Sequence, residues 1–198
     1  TLAEYGADVL WINGPHLDVI DSLVIDMSRG KRPANLDLRL SEDQTKIKRL
    51  VKSANIFIQG YRPGAIASKG LSPEELAEIK PGIIYVNLSA FGTKGPWRAR
   101  RGFDSIVQTV SGIGHDGGKS AGIEGMKHLP CQALDHGTGY IGAFAAISAL
   151  QKQLTEGGSW LVDISLAQTG LVRNYVVYFG LFMLVLIVVY LFSPGVII

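Results

Sequence analysis

Short apolar runs alternate with segments of helical period along most of this chain. Asp8-Val9-Leu10-Trp11-Ile12 reads as a buried strand that Asn13-Gly14-Pro15 stops. Residues 1–6 before it read as the end of a helix, with Gly6 past the last turn. Residues 16–30 are irregular. Pro33-Ala34-Asn35-Leu36-Asp37-Leu38 reads as a second strand. Ser41-Glu42-Asp43-Gln44 then carries capping-box spacing ahead of Ile47, Leu50 and Val51. Ile56-Phe57-Ile58-Gln59 is a third strand. A helix follows at Ser72-Pro73-Glu74-Glu75, with Pro at its first position and Glu at its third. Residues 83–89 and 160–166 are two further apolar strands. Strands apolar on both sides, alternating with helices, predict an α/β fold: a Rossmann-like, mostly parallel sheet with helices on both faces.

Ligands in such sheets sit beyond the carboxyl ends of the strands. That draws attention to two loops, residues 60–64 and 90–101. The second is glycine-rich and basic, with Lys94, Arg98, Arg100 and Arg101. It is either a solvated surface loop or a holder of an anionic ligand.

Phe103, Ile106, Val107 and Val110 predict a helix over residues 103–111. Gly112-Ile113-Gly114-His115-Asp116-Gly117 matches the dinucleotide fingerprint letter for letter, but that fingerprint needs a strand before it and a helix after it. Here a helix precedes it and a flexible stretch through Lys119 and Gly125 is expected to follow, so no nicotinamide site is read. His128, Cys131 and His136 have no metal-ligand spacing, and no metal is expected.

Asp135-His136-Gly137-Thr138-Gly139 precedes a small-residue helix over residues 139–154 whose near-total lack of charge predicts that most of it is buried. Asp135 stands just before that helix. It is either an N-cap or a reactive carboxylate kept ionised by the helix dipole, with Gly137 and Gly139 letting a bulky substrate approach.

A length of 198 residues holds one domain with a full core. A formal charge of +2 without a basic, aromatic-studded stripe excludes a nucleic-acid partner. One cysteine and no secretory leader suit an intracellular, reducing compartment; cytoplasm, mitochondrion and peroxisome are not separable. The mean hydropathy of +0.23 owes much to the last stretch. No charge occurs from Asn174 to Ile198, and residues 175–193 form a candidate transmembrane or misplaced apolar helix. The apolar run is about 18 residues long, at the lower edge of what spans a bilayer.

Taken in order, several segments resemble the family III CoA-transferases, the group of formyl-CoA transferase and α-methylacyl-CoA racemase. They are Leu2-Ala3-Glu4-Tyr5-Gly6-Ala7-Asp8-Val9; Gly30-Lys31-Arg32 through Leu36-Asp37-Leu38; Tyr61-Arg62-Pro63-Gly64; Ser89-Ala90-Phe91-Gly92; Arg101-Gly102-Phe103-Asp104 to Gln108; Asp135-His136-Gly137-Thr138-Gly139; and residues 158–166. There is also a fungal flavour. The resemblance implies that residues 1–170 are part of the family's large domain, truncated at both ends. It implies CoA transfer between an acyl-CoA and a carboxylic acid, with Asp135 as the catalytic carboxylate and an aspartyl-CoA thioester intermediate. By position, Leu36, Arg39, Tyr61 and Arg101 match CoA contacts, and Lys31 and Arg32 join them on charge alone. No permanently bound cofactor is implied; the CoA thioester is a substrate. Members are interlocked homodimers, but the threading depends on parts not present in these residues, so the dimer is not carried over. The alternatives are an acyl-CoA racemase or epimerase, which would have histidine where Phe103 stands, and an inactive remnant with a membrane-seeking tail. The expected form is a folded sheet with the tail as a lone projecting helix, giving little or no transfer.

Overall fold

The computed structural model describes residues 1–171; the apolar segment 175–193 lies outside the described residues. Among the described residues no helix is long and apolar enough to cross a membrane. Among the described residues five strands and seven α-helices follow in the order β1 (Val9–Asn13), α1 (Asp21–Met27), β2 (Lys31–Asn35), α2 (Ser41–Val51), β3 (Ile56–Gln59), α3 (Pro73–Ile79), β4 (Ile84–Ser89), α4 (Asp104–Val110), α5 (Ile113–Ala121), α6 (Ala133–Glu156), β5 (Trp160–Ser165) and α7 (Leu166–Leu171). Every strand pairing is parallel, as the α/β pattern predicts.

The sheet is in two pieces. Among the described residues β1 pairs only with β2, while β3, β4 and β5 form a separate three-stranded sheet with β4 in the centre. Alternation on β4 explains the two layers. Tyr85 faces a core built from Ile47 and Val51 of α2, Leu76 of α3, Ile66, Leu71 and Ile83. Its neighbours Ile84 and Val86 face the opposite way, onto Ala146 and Ala149 of α6. Helices therefore cover both faces of the three-stranded sheet. Ile12, Leu36 and Leu38 pack on the first of these cores and so tie the β1–β2 piece to it.

Several local expectations need correction. Residues 16–30 contain α1, a helix with no buried residue, which is why no apolar period announces it. The second strand ends earlier than expected, at Asn35, because Asp37 accepts from the Arg39 backbone N–H and turns the chain. Ser41 is not a cap: Leu40 holds that position, and the Asp43 carboxylate turns back to accept from the Asp37 N–H at 2.8 Å. At Ser72 both halves of the capping box are present, as the spacing predicts. The stretch after Gly112 is helical, not flexible. A Cβ on Gly117 or Gly118 would lie 2.1 or 2.0 Å from the carbonyl oxygens of Lys127 and Gly125. Those glycines allow a helix and a strap to touch, and a helix rather than a strand leads into them, so the dinucleotide reading stays rejected.

α6 also departs from expectation. It begins at Ala133, six residues before the predicted start, and it is not mostly buried. Gly142, Ala146 and Ala149 face the sheet and Ala143 is buried, while Tyr140, Phe144, Ile147 and Leu154 are exposed. Lack of charge marks one helix face as apolar here without meaning that both are covered.

Candidate active site

The first turn of α6 rests on a small third core, made by Val107 of α4, Leu134 of α6 and Leu166 of α7, with Ala90, Phe91, Ile113 and Ala167 around it. α7 follows β5 without a break. Thr138 is completely buried, and its hydroxyl lies 2.7 Å from that of Thr169 on α7. Gly137 is small for the same reason, since a Cβ there would lie 3.1 Å from the Thr169 methyl. Only Gly139, where a Cβ would meet nothing within 4 Å, leaves open space of the kind expected of both glycines.

Asp135 is therefore not an N-cap; Gln132 holds that position, and Asp135 lies in the first turn with its side chain exposed. Its backbone N–H, one of the donors a helix start leaves without an internal partner, donates to Oδ2 of Asp104 at 2.9 Å. Although the residue reaches the surface, neighbouring atoms take part of the solvent from its carboxyl, and this, with the Asp104 carboxylate second, pushes its pKa above the ordinary carboxylate value, His136 pulling the other way. The helix dipole favours ionisation, but these neighbours offset it.

Asp104 and Gln108 are what sequence reasoning missed. Both are fully buried on α4, one turn apart. The Gln108 amide donates to Oδ1 of Asp104 and, at 3.1 Å, to the Cys131 carbonyl, while its oxygen accepts from the Leu129 N–H at 2.8 Å. Two side chains thus fasten residues 129, 131 and 135 to α4. The available signal was an acid and an amide at i and i+4 beside Val107; the stripe of Phe103, Ile106 and Val110 is exposed instead.

The other candidates divide by sheet end. Tyr61 follows β3, and Arg101 ends the loop that leaves β4, so both lie beyond carboxyl ends of the larger sheet. Arg101 is exposed and without a charged partner among the described residues. Its loop closes on itself: Phe91 meets Trp97 edge-on at 5.4 Å, and Arg100 stacks on Trp97 at 5.3 Å. Gly102 brings the loop back against the strand end, where a Cβ would lie 2.7 Å from that of Ala90.

Leu36 and Arg39 lie just past β2. Arg39 holds Asp37 through Nε and Nη2, the latter at 2.6 Å, and this pairing lowers the Asp37 pKa to about 2. Lys31 and Arg32 sit at the opposite, amino end of the same strand, about 16 and about 13 Å from Leu36 at the rise of a β-strand. Lys31 lies over the Trp11 ring at 5.4 Å and Arg32 pairs with Asp8 at 2.7 Å, so the structure does not gather these two with the rest. Among the described residues no His, Cys, Asp or Glu group could hold a metal ion.

The comparisons with known proteins bear on all of this. The sequence matches CoA-transferase family III over residues 1–178. It is 31% identical over 170 residues to the acetyl-coenzyme A transferase nodX of the fungus Hypoxylon pulicicidum, covering 84% of this chain and 29% of that protein. It is 32% identical over 145 residues to succinyl-CoA–D-citramalate CoA-transferase of Chloroflexus aurantiacus, covering 71% of this chain and 34% of the relative. A CAIB/BAIF family protein from Brucella suis superposes with a TM-score of 0.78 at 26% identity, over 98% of this chain and 53% of that one. The chain thus spans about a third of the length of these curated relatives and about half of that solved structure. With a match that takes in both strand-end loops and the start of α6, the chain belongs to CoA-transferase family III.

Proposed function

We propose that this chain carries the nucleophile and part of the CoA site of an enzyme that moves CoA between an acyl-CoA and a carboxylic acid. The observation that carries this reading is the state of Asp135. It is an exposed carboxylate on a helix turn fixed at its own backbone by a buried acid, and among the described residues its carboxyl has no salt bridge and no hydrogen bond. A structural acid looks different: Asp37 is locked by Arg39.

The ionised Asp135 attacks the thioester carbonyl and expels CoA thiolate, leaving a mixed anhydride on the enzyme. The thiolate returns to the aspartyl carbonyl, forms the aspartyl-CoA thioester and releases the first acid. An acceptor carboxylate then attacks that thioester, again expelling thiolate and forming a new anhydride. Return of the thiolate to the acceptor's carbonyl gives the new acyl-CoA and frees Asp135. No external base is needed, since every attacking group is an anion.

Tyr61 and Arg101 are the first candidates for the CoA moiety, with Leu36 and Arg39 just past the carboxyl end of β2; the phosphates of CoA suit the arginines. Lys31 and Arg32, at the far end of β2, serve as controls. Racemisation needs an acid–base group on each face of the carbon next to the thioester carbonyl. Phe103, beside Asp104 and highly exposed, cannot move a proton, so transfer is the reading retained. The acetyl and succinyl groups in the relatives' names bound the donor class without choosing within it.

Hydroxylamine trapping during incubation with an acyl-CoA, followed by peptide mapping, tests the assignment. A hydroxamate at Asp135 is expected. A label at Asp104, Asp163 or another acid overturns it.

A further inference from the structure

Each strand of the larger sheet is apolar but for polar residues near its carboxyl end, and three of these stand side by side. Gln59, Asn87 and Asp163 are direct cross-strand partners on one face. Their side chains form a ladder: the Gln59 amide donates to Oδ1 of Asn87, and Nδ2 of Asn87 donates to Oδ1 of Asp163 at 2.7 Å. Both ends of the ladder reach a loop. Oε1 of Gln59 accepts from the Tyr61 N–H at 2.7 Å, and Oδ2 of Asp163 accepts from the Thr93 hydroxyl at 3.4 Å. Beside it, the Gly92 N–H donates to the Ser89 hydroxyl at 3.0 Å.

We propose that this ladder is a positioning device that locks loop 60–64 to loop 90–101 across the sheet, so that Tyr61 and Arg101 meet one ligand in a fixed relation. The proposal rests on the CoA reading above for the identity of that ligand; the coupling itself rests on the hydrogen bonds. The chemistry of the ladder is directional. Gln59 must give an N–H to an oxygen on residue 87, and residue 87 must share one hydrogen with residue 163. Asn87 and Asp163 satisfy both, and so would their exchange, with aspartate at 87 accepting from both sides and asparagine at 163 donating inward and accepting from Thr93. Asparagine to aspartate at 87 alone sets two carboxylates face to face with no shared proton.

The test compares wild type, Asn87→Asp, Asp163→Asn and the double exchange in the whole chain, by hydrogen exchange of peptides covering 60–64 and 90–95 and by direct binding of CoA. In Asn87→Asp both loops are expected to exchange about tenfold faster and CoA to bind about tenfold more weakly, with α3 and the body of α6 unchanged. The double exchange restores both readouts to within about twofold, and Asp163→Asn stays near wild type. Where the aspartate variant does not fold, Asn87→Ser breaks the same two bonds without added charge. A change confined to one loop, a double exchange that fails to restore, or faster loops with unaltered CoA affinity would overturn the proposal. If wild type binds no CoA, the CoA reading fails, and loop exchange still decides whether the ladder couples the two segments.

Discussion

The helix starts of α4 and α6 each carry an aspartate, and the two have opposite fates. Asp104 opens α4 and is 1% exposed, with both carboxyl oxygens committed, one to Gln108 and one to the backbone of Asp135. Asp135, in the first turn of α6, is exposed, and its carboxyl accepts no hydrogen bond among the described residues. The first acid is spent on structure; the second is left with its lone pairs unclaimed. What separates the carboxylate proposed as the nucleophile from the structural one is the list of partners, since residue type and helix position are nearly the same. The two are also linked, because the buried acid both fixes the backbone of the exposed one and helps raise its pKa.

The comparison can be broken at several points. Asp135→Ala is expected to abolish trapping of an acyl group, by a factor of about a thousand or more, with the fold retained on thermal melting. Asp104→Ala strands the Asp135 N–H and takes away one of the two acceptors of the buried Gln108 amide. A loss of about 2–3 kcal/mol in denaturant unfolding is expected, together with most of the labelling. A stable Asp104→Ala that labels normally would break the link between the two acids. Thr138→Val leaves the Thr169 hydroxyl without its partner across α6 and α7, for a cost of about 1 kcal/mol.

The smallest effect carries a sign that sharpens the contrast. A carboxyl whose folded pKa is raised binds its proton more tightly in the folded state, so ionising it lowers stability as pH rises through that pKa. Asp135→Asn should therefore melt slightly higher than wild type near neutral pH, and the gain should vanish below the ordinary aspartate range. By the same shift, the acid limb of the labelling rate should lie above where a free aspartate would put it. A melting point for Asp135→Asn that falls at neutral pH, checked by thermal unfolding over pH, contradicts the raised pKa.

Much of the frame is legible in the residues. β3, β4 and β5 are short apolar runs between turn signals, and Ser72-Pro73-Glu74-Glu75 spells its own cap. What could not be read depends on contacts between distant segments. α1 buries nothing, so no period betrays it. The start of α6 moves upstream because Asp104, 31 residues earlier, supplies the acceptor that its first turn needs. The division of the sheet is likewise a matter of which edges pair, which alternation along one strand does not encode. At the site, Asp135 and the two loops stand out by local pattern. Asp104 and Gln108 become visible as a pair only once their partners at 129, 131 and 135 are placed. Charge alone separates the candidates least: Lys31 and Arg32 stand at the amino end of β2, while Leu36 follows its carboxyl end.

The central claim is that Asp135 carries CoA as a thioester, and borohydride reduction tests it most directly. Incubation with an acyl-CoA, followed by borohydride, should convert Asp135 and no other acid to homoserine in peptide mass mapping. The Asp135→Asn chain should show no conversion. Homoserine at Asp104 or Asp163, or an unmodified Asp135 while transfer proceeds, would contradict the account.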